Sequence, residues 1–138
     1  MAKDIFHNIV KEALINEDWI VTDDPLTLLS RAEGGISTDL GAEKMIVAEK
    51  GVTKIAVEVK SFINPSMIHD FLRASGQYNG YNIVIKYKHL DRILYLVMPV
   101  FAYEKLITYD FINAIIDNIA IKFILFDEQG KTIVKWIE

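Results

Sequence analysis

The sequence predicts an α/β sandwich, a mixed sheet with helices on its faces. Three observations carry that prediction. Stretches with apolar residues at the three-to-four spacing of a helix alternate with stretches of strand period. Residues 93–100 form a near-continuous apolar run of strand length, the pattern of a central strand covered on both sides. The chain closes on two apolar segments joined through Asp127-Glu128-Gln129-Gly130-Lys131, which read as a hairpin. The order is α-β-β-β-α-β-α-β-β, and 138 residues suit one domain spanning residues 1–138, without repeats or linkers.

Ile5, Phe6, Ile9, Val10, Ala13 and Leu14 recur at helical spacing and predict an amphipathic helix over residues 3–17. Residues 19–29 mix β-branched and aromatic side chains around the turn signal Asp23-Asp24-Pro25, so an extended segment broken by a loop is expected. Residues 42–49 and 53–60 read as a hairpin turning at Lys50-Gly51. Its second strand sets Ile55, Val57 and Val59 on a core face and Ala56, Glu58 and Lys60 on a charge-bearing one. Asn64-Pro65 is a helix start, an Asn cap before a first-turn proline. The stripe Ile68, Phe71, Leu72, Ser75 and Tyr78 carries that helix into the 80s, where the β-branched Ile83-Val84-Ile85 also fits the start of a strand. A further helix is expected over 108–119 from Phe111, Ile112, Ile115 and Ile116, then the closing hairpin of 120–126 and 132–137.

Apolar residues at 51% and charged residues at 25% exclude a disordered chain, and the absence of cysteine excludes disulfides, thiolate metal sites and cysteine nucleophiles. A reducing, cytoplasmic setting fits. The first residues lack the apolar run of a signal peptide. The longest apolar stretch, residues 93–103, holds Pro99 and falls short of the roughly 20 residues a membrane span needs. A soluble protein with no membrane partner is expected. The net charge of −4 argues against a duplex-DNA binder with a broad basic surface. Residues 54–105, with seven basic and four acidic side chains, are the one segment with a basic excess.

His7, His69 and His89 stand singly, without the i, i+4 pairing by which a helix face grips a metal. Glu33-Gly34-Gly35-Ile36-Ser37 lacks the spacing of a phosphate loop, and no serine hydrolase elbow exists. What remains is Asp39 followed by Glu58-Val59-Lys60. Alternation sets Glu58 and Lys60 side by side, and a partner strand can bring Asp39 beside them. Two carboxylates and the Val59 carbonyl make an all-oxygen site suited to Mg²⁺ or Mn²⁺. Lys60 is placed to orient a water and offset charge developing on a phosphoryl group. A Glu-x-Lys triplet is expected roughly 0.8 times by chance at this composition, but a Gln-x-x-x-Tyr set only about 0.09 times. Gln77 and Tyr81 supply that set, continuing from Arg73 a polar helical row opposite the apolar stripe.

The series Asp39, Glu58-Val59-Lys60 and Gln77-Tyr78-Asn79-Gly80-Tyr81 in an αβββαβ frame resembles the PD-(D/E)xK nuclease superfamily, in particular its RecB-like and Holliday-junction-resolvase-like branches. Thr38 stands where that motif's leading proline would be. Over nearly the full length, Ala2-Lys3-Asp4, Asp39-Leu40-Gly41-Ala42-Glu43-Lys44, Ile55-Ala56-Val57-Glu58-Val59-Lys60-Ser61-Phe62 and Gly76-Gln77-Tyr78 resemble the XisH family, the fdxN element excision controlling factors.

The resemblance implies a restriction-endonuclease-like sandwich, an αβββαβ core with a C-terminal helix and hairpin added. It implies Mg²⁺-dependent phosphodiester hydrolysis during programmed excision of a DNA element. Asp39 and Glu58 would be metal ligands with the Val59 carbonyl, and Lys60 the catalytic cation. Glu12 would match the helical glutamate of the metal-water network, and Gln77 and Tyr81 would orient the site or the DNA backbone. The implied partners are DNA, branched or single-stranded, an XisI-type companion protein and a site-specific recombinase, with a homodimer left open. The alternative is a catalytically idle regulator that keeps the nuclease fold as a scaffold for an excision partner.

Overall fold

The computed structural model describes residues 2–38, 40–46, 51–62 and 65–138, and the side chains of 6–38, 53–62 and 65–138. Helix α1 (Ala2–Asn16) is followed by β1 (Ile20–Asp23), β2 (Leu26–Leu29), a 3₁₀ turn (Arg31–Glu33), β3 (Ile36–Thr38), β4 (Leu40–Ile46) and β5 (Gly51–Val59). Then come α2 (Met67–Tyr87), β6 (Ile93–Pro99), α3 (Val100–Leu106), α4 (Asp110–Ile119), β7 (Phe123–Asp127) and β8 (Thr132–Ile137). Among the described residues no helix is long and apolar enough to cross a membrane.

Six strands pair in the order β1-β4-β5-β6-β7-β8, and β2 with β3 forms a separate two-stranded sheet. The centre, β5-β6-β7, is parallel, and its flanks are antiparallel, so the sheet is mixed as the sequence predicts. Strands β4 and β5 pair from Leu40 opposite Val57 to Ile46 opposite Gly51. The turn expected at Lys50-Gly51, with residues 47–49 of the first strand, falls outside the described residues but for Gly51.

Parallel strands joined by crossovers are covered on both faces. One face packs Ile55, Val57 and Val59 under α1 through Ile9, Val10 and Leu14. The other packs Ala56, Leu94, Leu96 and Met98 under Phe71, Ala74 and Tyr78 of α2. The face of β5 expected to carry charge is therefore also core: Ala56 is fully buried, and Glu58 is only 8% exposed. Alternation gives the faces correctly, but it carries no information on what covers them.

Other departures have local causes. Ile83-Val84-Ile85 stays helical, because Ile85 continues the buried stripe of Phe71, Ala74 and Tyr78, and tertiary packing outweighs β-branched propensity. Leu72, placed on that stripe by the sequence reading, is exposed. Helix α2 begins at Met67 with Ser66 as its cap residue, the first helical bond running from the Asp70 N–H to the Ser66 carbonyl at 3.1 Å; Asn64 lies outside the described residues. Helix α3 has no counterpart in the sequence reading, since its buried Ala102 and Leu106 prolong the apolar run of β6. The 19–29 segment divides into β1 and β2 around a cis Asp24–Pro25 peptide. Strand β7 starts at Phe123, because Ala120 caps α4 in a left-handed conformation at φ 58°.

Candidate functional site

Strand β5 ends at Val59, and the Lys60 N–H continues the ladder to the Val97 carbonyl at 2.8 Å. Period two then puts Glu58 and Lys60 on the α2 face. Lys60 Nζ lies 3.3 Å from Glu58 Oε1, in an ion pair whose side chains are 27% and 10% exposed. The chain turns toward α2 at Phe62, which is 3% exposed and holds a left-handed backbone at φ 53°. Such a conformation is uncommon for a bulky residue and persists where packing enforces it. Here the Phe62 ring packs on Phe71 with centroids 6.4 Å apart.

Between that turn and α2 lies a depression of about 170 Å³, lined by Lys60, Ser61, Asp70, Arg73 and Gln77 over a floor of Phe62 and Ala74. Asp70 Oδ1 and Arg73 Nη1 stand 4.0 Å apart at its rim, Arg73 being largely exposed. Gln77 Oε1 is buried and has no hydrogen-bond partner, an unusual state for a polar atom and one that a ligand donor would relieve. The depression therefore presents two cations, a carboxylate and an amide in a small polar space. Its two cations favour an anionic group over an apolar molecule.

Tyr78 fixes the helix that supplies these groups. Its buried hydroxyl donates to the Leu94 carbonyl at 2.9 Å and accepts from the Lys122 N–H at 3.1 Å, pinning α2 to β6 and to the chain entering β7. Burial raises the Tyr78 hydroxyl above its usual pKa, with the Lys122 N–H acting in the opposite sense.

The sequence-predicted residues divide into three groups. Glu58, Lys60 and Gln77 lie on one face and meet at or beside the depression. Tyr81 is partly buried against the apolar cluster under α2, so the row Arg73, Gln77, Tyr81 flanks the buried stripe rather than opposing it. Glu12 is exposed on α1, which covers the other sheet face, and no hydrogen bond or ion pair joins it to Glu58 or Lys60. Asp39 lies outside the described residues. Asp70 was missed by sequence reading, although its spacing of three and seven residues from Arg73 and Gln77 was a usable signal. The single histidines are as expected, His7 contacting Asp24 at 2.8 Å, while His69 and His89 are exposed.

Among the described residues no three acidic or histidine side chains cluster tightly enough to hold a metal by themselves. Glu58 and the Val59 carbonyl are nonetheless hard oxygen donors, and no sulfur ligand exists in the chain, so the donors fit Mg²⁺ or Mn²⁺ in kind.

Comparison with known proteins agrees with this architecture. A family model described as XisH protein matches residues 1–134. An XisH family protein from Nostoc punctiforme PCC 73102 superposes with a TM-score of 0.83 at 34% identity, over 97% of this chain and 99% of that one. An fdxN element excision controlling factor protein from Anabaena variabilis gives a TM-score of 0.83 at 36% identity, over 98% of this chain and 99% of that one. No curated protein matches the chain. With nearly every residue matched by the family model and both structures similar end to end, the chain belongs to the XisH family.

Proposed function

We propose that this protein is a restriction-endonuclease-like factor that hydrolyses a DNA phosphodiester during the controlled excision of a DNA element. The observation that carries the proposal is the Lys60–Glu58 pair at the end of a central strand, 3.3 Å apart and opening on a polar depression. The name of the Anabaena variabilis relative supports the excision context.

Asp39, Glu58 and the Val59 carbonyl would hold Mg²⁺ or Mn²⁺, which when bound polarises phosphoryl oxygens and lowers the pKa of a coordinated water. Lys60 holds its ammonium beside the attacked phosphorus, orients the water and offsets the negative charge that grows on the phosphoryl oxygens. Arg73 steadies an adjacent phosphate from the rim. Gln77 and Tyr81 orient the site and the DNA backbone. Glu12, on the far face, takes the smallest share, and Glu12→Gln lowers cleavage less than any change at Lys60. DNA, branched or single-stranded, is the substrate, and an XisI-type companion and a site-specific recombinase are the protein partners.

The test is cleavage of branched and single-stranded DNA with Mg²⁺ or Mn²⁺. The wild type cleaves, and Lys60→Ala loses at least about 100-fold, the scale for one preorganised electrostatic partner. A wild type that cleaves nothing, with companion binding that survives Lys60→Ala, supports the idle scaffold instead. Undiminished cleavage by Lys60→Ala refutes the role of Lys60.

A further inference from the structure

The α1 face of the sheet carries a second pocket, of about 190 Å³, at the starts of β5 and β6 and the end of β8. Its aromatic lining is Trp19, Tyr95 and Trp136. Trp136 stacks on Trp19 with centroids 5.6 Å apart and 24° between planes, and it meets Tyr95 edge-on at 5.2 Å and 90°. Two carboxylates, Glu17 and Glu138, line the same pocket. Among the described residues the Glu17 carboxylate makes no hydrogen bond or ion pair, while Glu138 accepts the Tyr95 hydroxyl. Among the described side chains, no basic one lines the pocket.

We propose that this pocket binds an arginine side chain presented by a partner protein. Aromatic faces attract a cation through their quadrupole, and a planar guanidinium both stacks on a ring and forms forked hydrogen bonds to a carboxylate. Trp19 and Tyr95 are only 7% and 2% exposed, so the half-buried Trp136 ring supplies the aromatic surface. Glu17 and Glu138 supply the acceptors, and the volume admits one such side chain. Its two carboxylates repel phosphate, so nucleic acid is not the occupant. Burial, reinforced by the Glu138 carboxylate, pushes the Tyr95 hydroxyl well above its usual pKa. Tyr95 thus stays a neutral donor to Glu138.

Both tryptophans of the chain line the pocket, so intrinsic fluorescence reads its occupancy directly. The full-length protein is titrated at low salt with an acetylated tri-arginine peptide and, in parallel, with its tri-lysine counterpart. Tri-arginine gives a saturable change with a dissociation constant below about 10 mM, at least about threefold tighter than tri-lysine. Its side-chain δ-methylene protons shift upfield in proton NMR from stacking on the Trp136 indole. Glu17→Gln, a surface change that leaves the fold intact by circular dichroism, weakens binding about tenfold, the scale of one charge-assisted hydrogen bond. Equal affinity for the two peptides, unchanged affinity in Glu17→Gln, or no saturable response up to that concentration overturns the proposal.

Discussion

Lys60 shows that a residue's chemical role and its share of stability can coincide. Its ammonium is partly exposed, but the Glu58 carboxylate it pairs with is only 10% exposed, and removing one partner of such a pair leaves a buried charge at a cost of up to about 3–5 kcal/mol. Lys60→Ala therefore lowers the urea midpoint as well as cleavage. Tyr78 is a second buried partner. Tyr78→Phe leaves the Leu94 carbonyl and the Lys122 N–H without their buried partner and costs about 1–3 kcal/mol in urea unfolding, a loss absent from Tyr87→Phe, since Tyr87 is 78% exposed. Legibility is uneven. The pairing of Glu58 with Lys60 was readable because strand alternation is local. The approach of Asp70 to Lys60 was not, because it depends on where α2 crosses the sheet. The burial of Glu58 was equally hidden, since the helix above it begins nine residues later in the chain.

Among the elements, α2 gives the sharpest contrast between pattern and packing. Ile83-Val84-Ile85 has strand-like composition, yet Ile85 is 3% exposed inside the α2 cluster and Ile83 is 59% exposed. Ile85→Ala therefore destabilises by about 2–4 kcal/mol, and Ile83→Ala changes stability by less than about 0.5 kcal/mol. A strand would reverse neither residue relative to the other, since both would share one face, so comparing the two thermal unfolding midpoints tests the helix directly. Helix α1 is tied to the β1–β2 turn by Asp24, which takes His7 Nε2 at 2.8 Å and Lys11 Nζ at 2.9 Å. Burial pushes the Asp24 carboxyl up, but the Lys11 hydrogen bond and the His7 contacts outweigh it, so its pKa falls below the usual value. A carboxylate lowered on folding contributes stability above its unfolded pKa, and that contribution is lost as pH falls through the lowered folded value. Asp24→Asn accordingly costs up to about 1 kcal/mol at pH 7, and its stability declines less between about pH 5 and 3 than that of wild type, as read from urea midpoints across that range.

For the whole molecule, the mixed sheet with helices on both faces was legible because alternating helical and strand periods leave few ways to cover apolar surface. Helix α3 was not, since it prolongs the apolar run of β6, and β3 was not, since Ile36-Ser37-Thr38 is too short to show a strand period. Charge is also a property of this scale. A chain at −4 concentrates its basic excess in residues 54–105, and the depression exposes two of those cations, Lys60 and Arg73. Single-stranded DNA binding should then depend weakly on salt, with log K falling by about 1.4 per decade for two phosphate contacts. Arg73→Ala reduces that slope to about 0.7, measured by fluorescence anisotropy of a labelled oligonucleotide.

Strand β5 has one further consequence. Ile55 faces the aromatic pocket on the α1 side, and Glu58 with Lys60 faces the depression on the α2 side. Five residues of extended chain separate Ile55 from Lys60, about 16 Å along the strand, roughly twice the screening length at physiological salt. An apolar layer of side chains lies on each side of the sheet between them. On the two proposed readings, a cationic side chain in the acidic pocket and a phosphate at Lys60 would lie on opposite faces of the sheet and would not compete for space. One nine-residue strand would then let a polyanion and a polycation be held at the same time, an adaptor between molecules that would otherwise neutralise each other on contact.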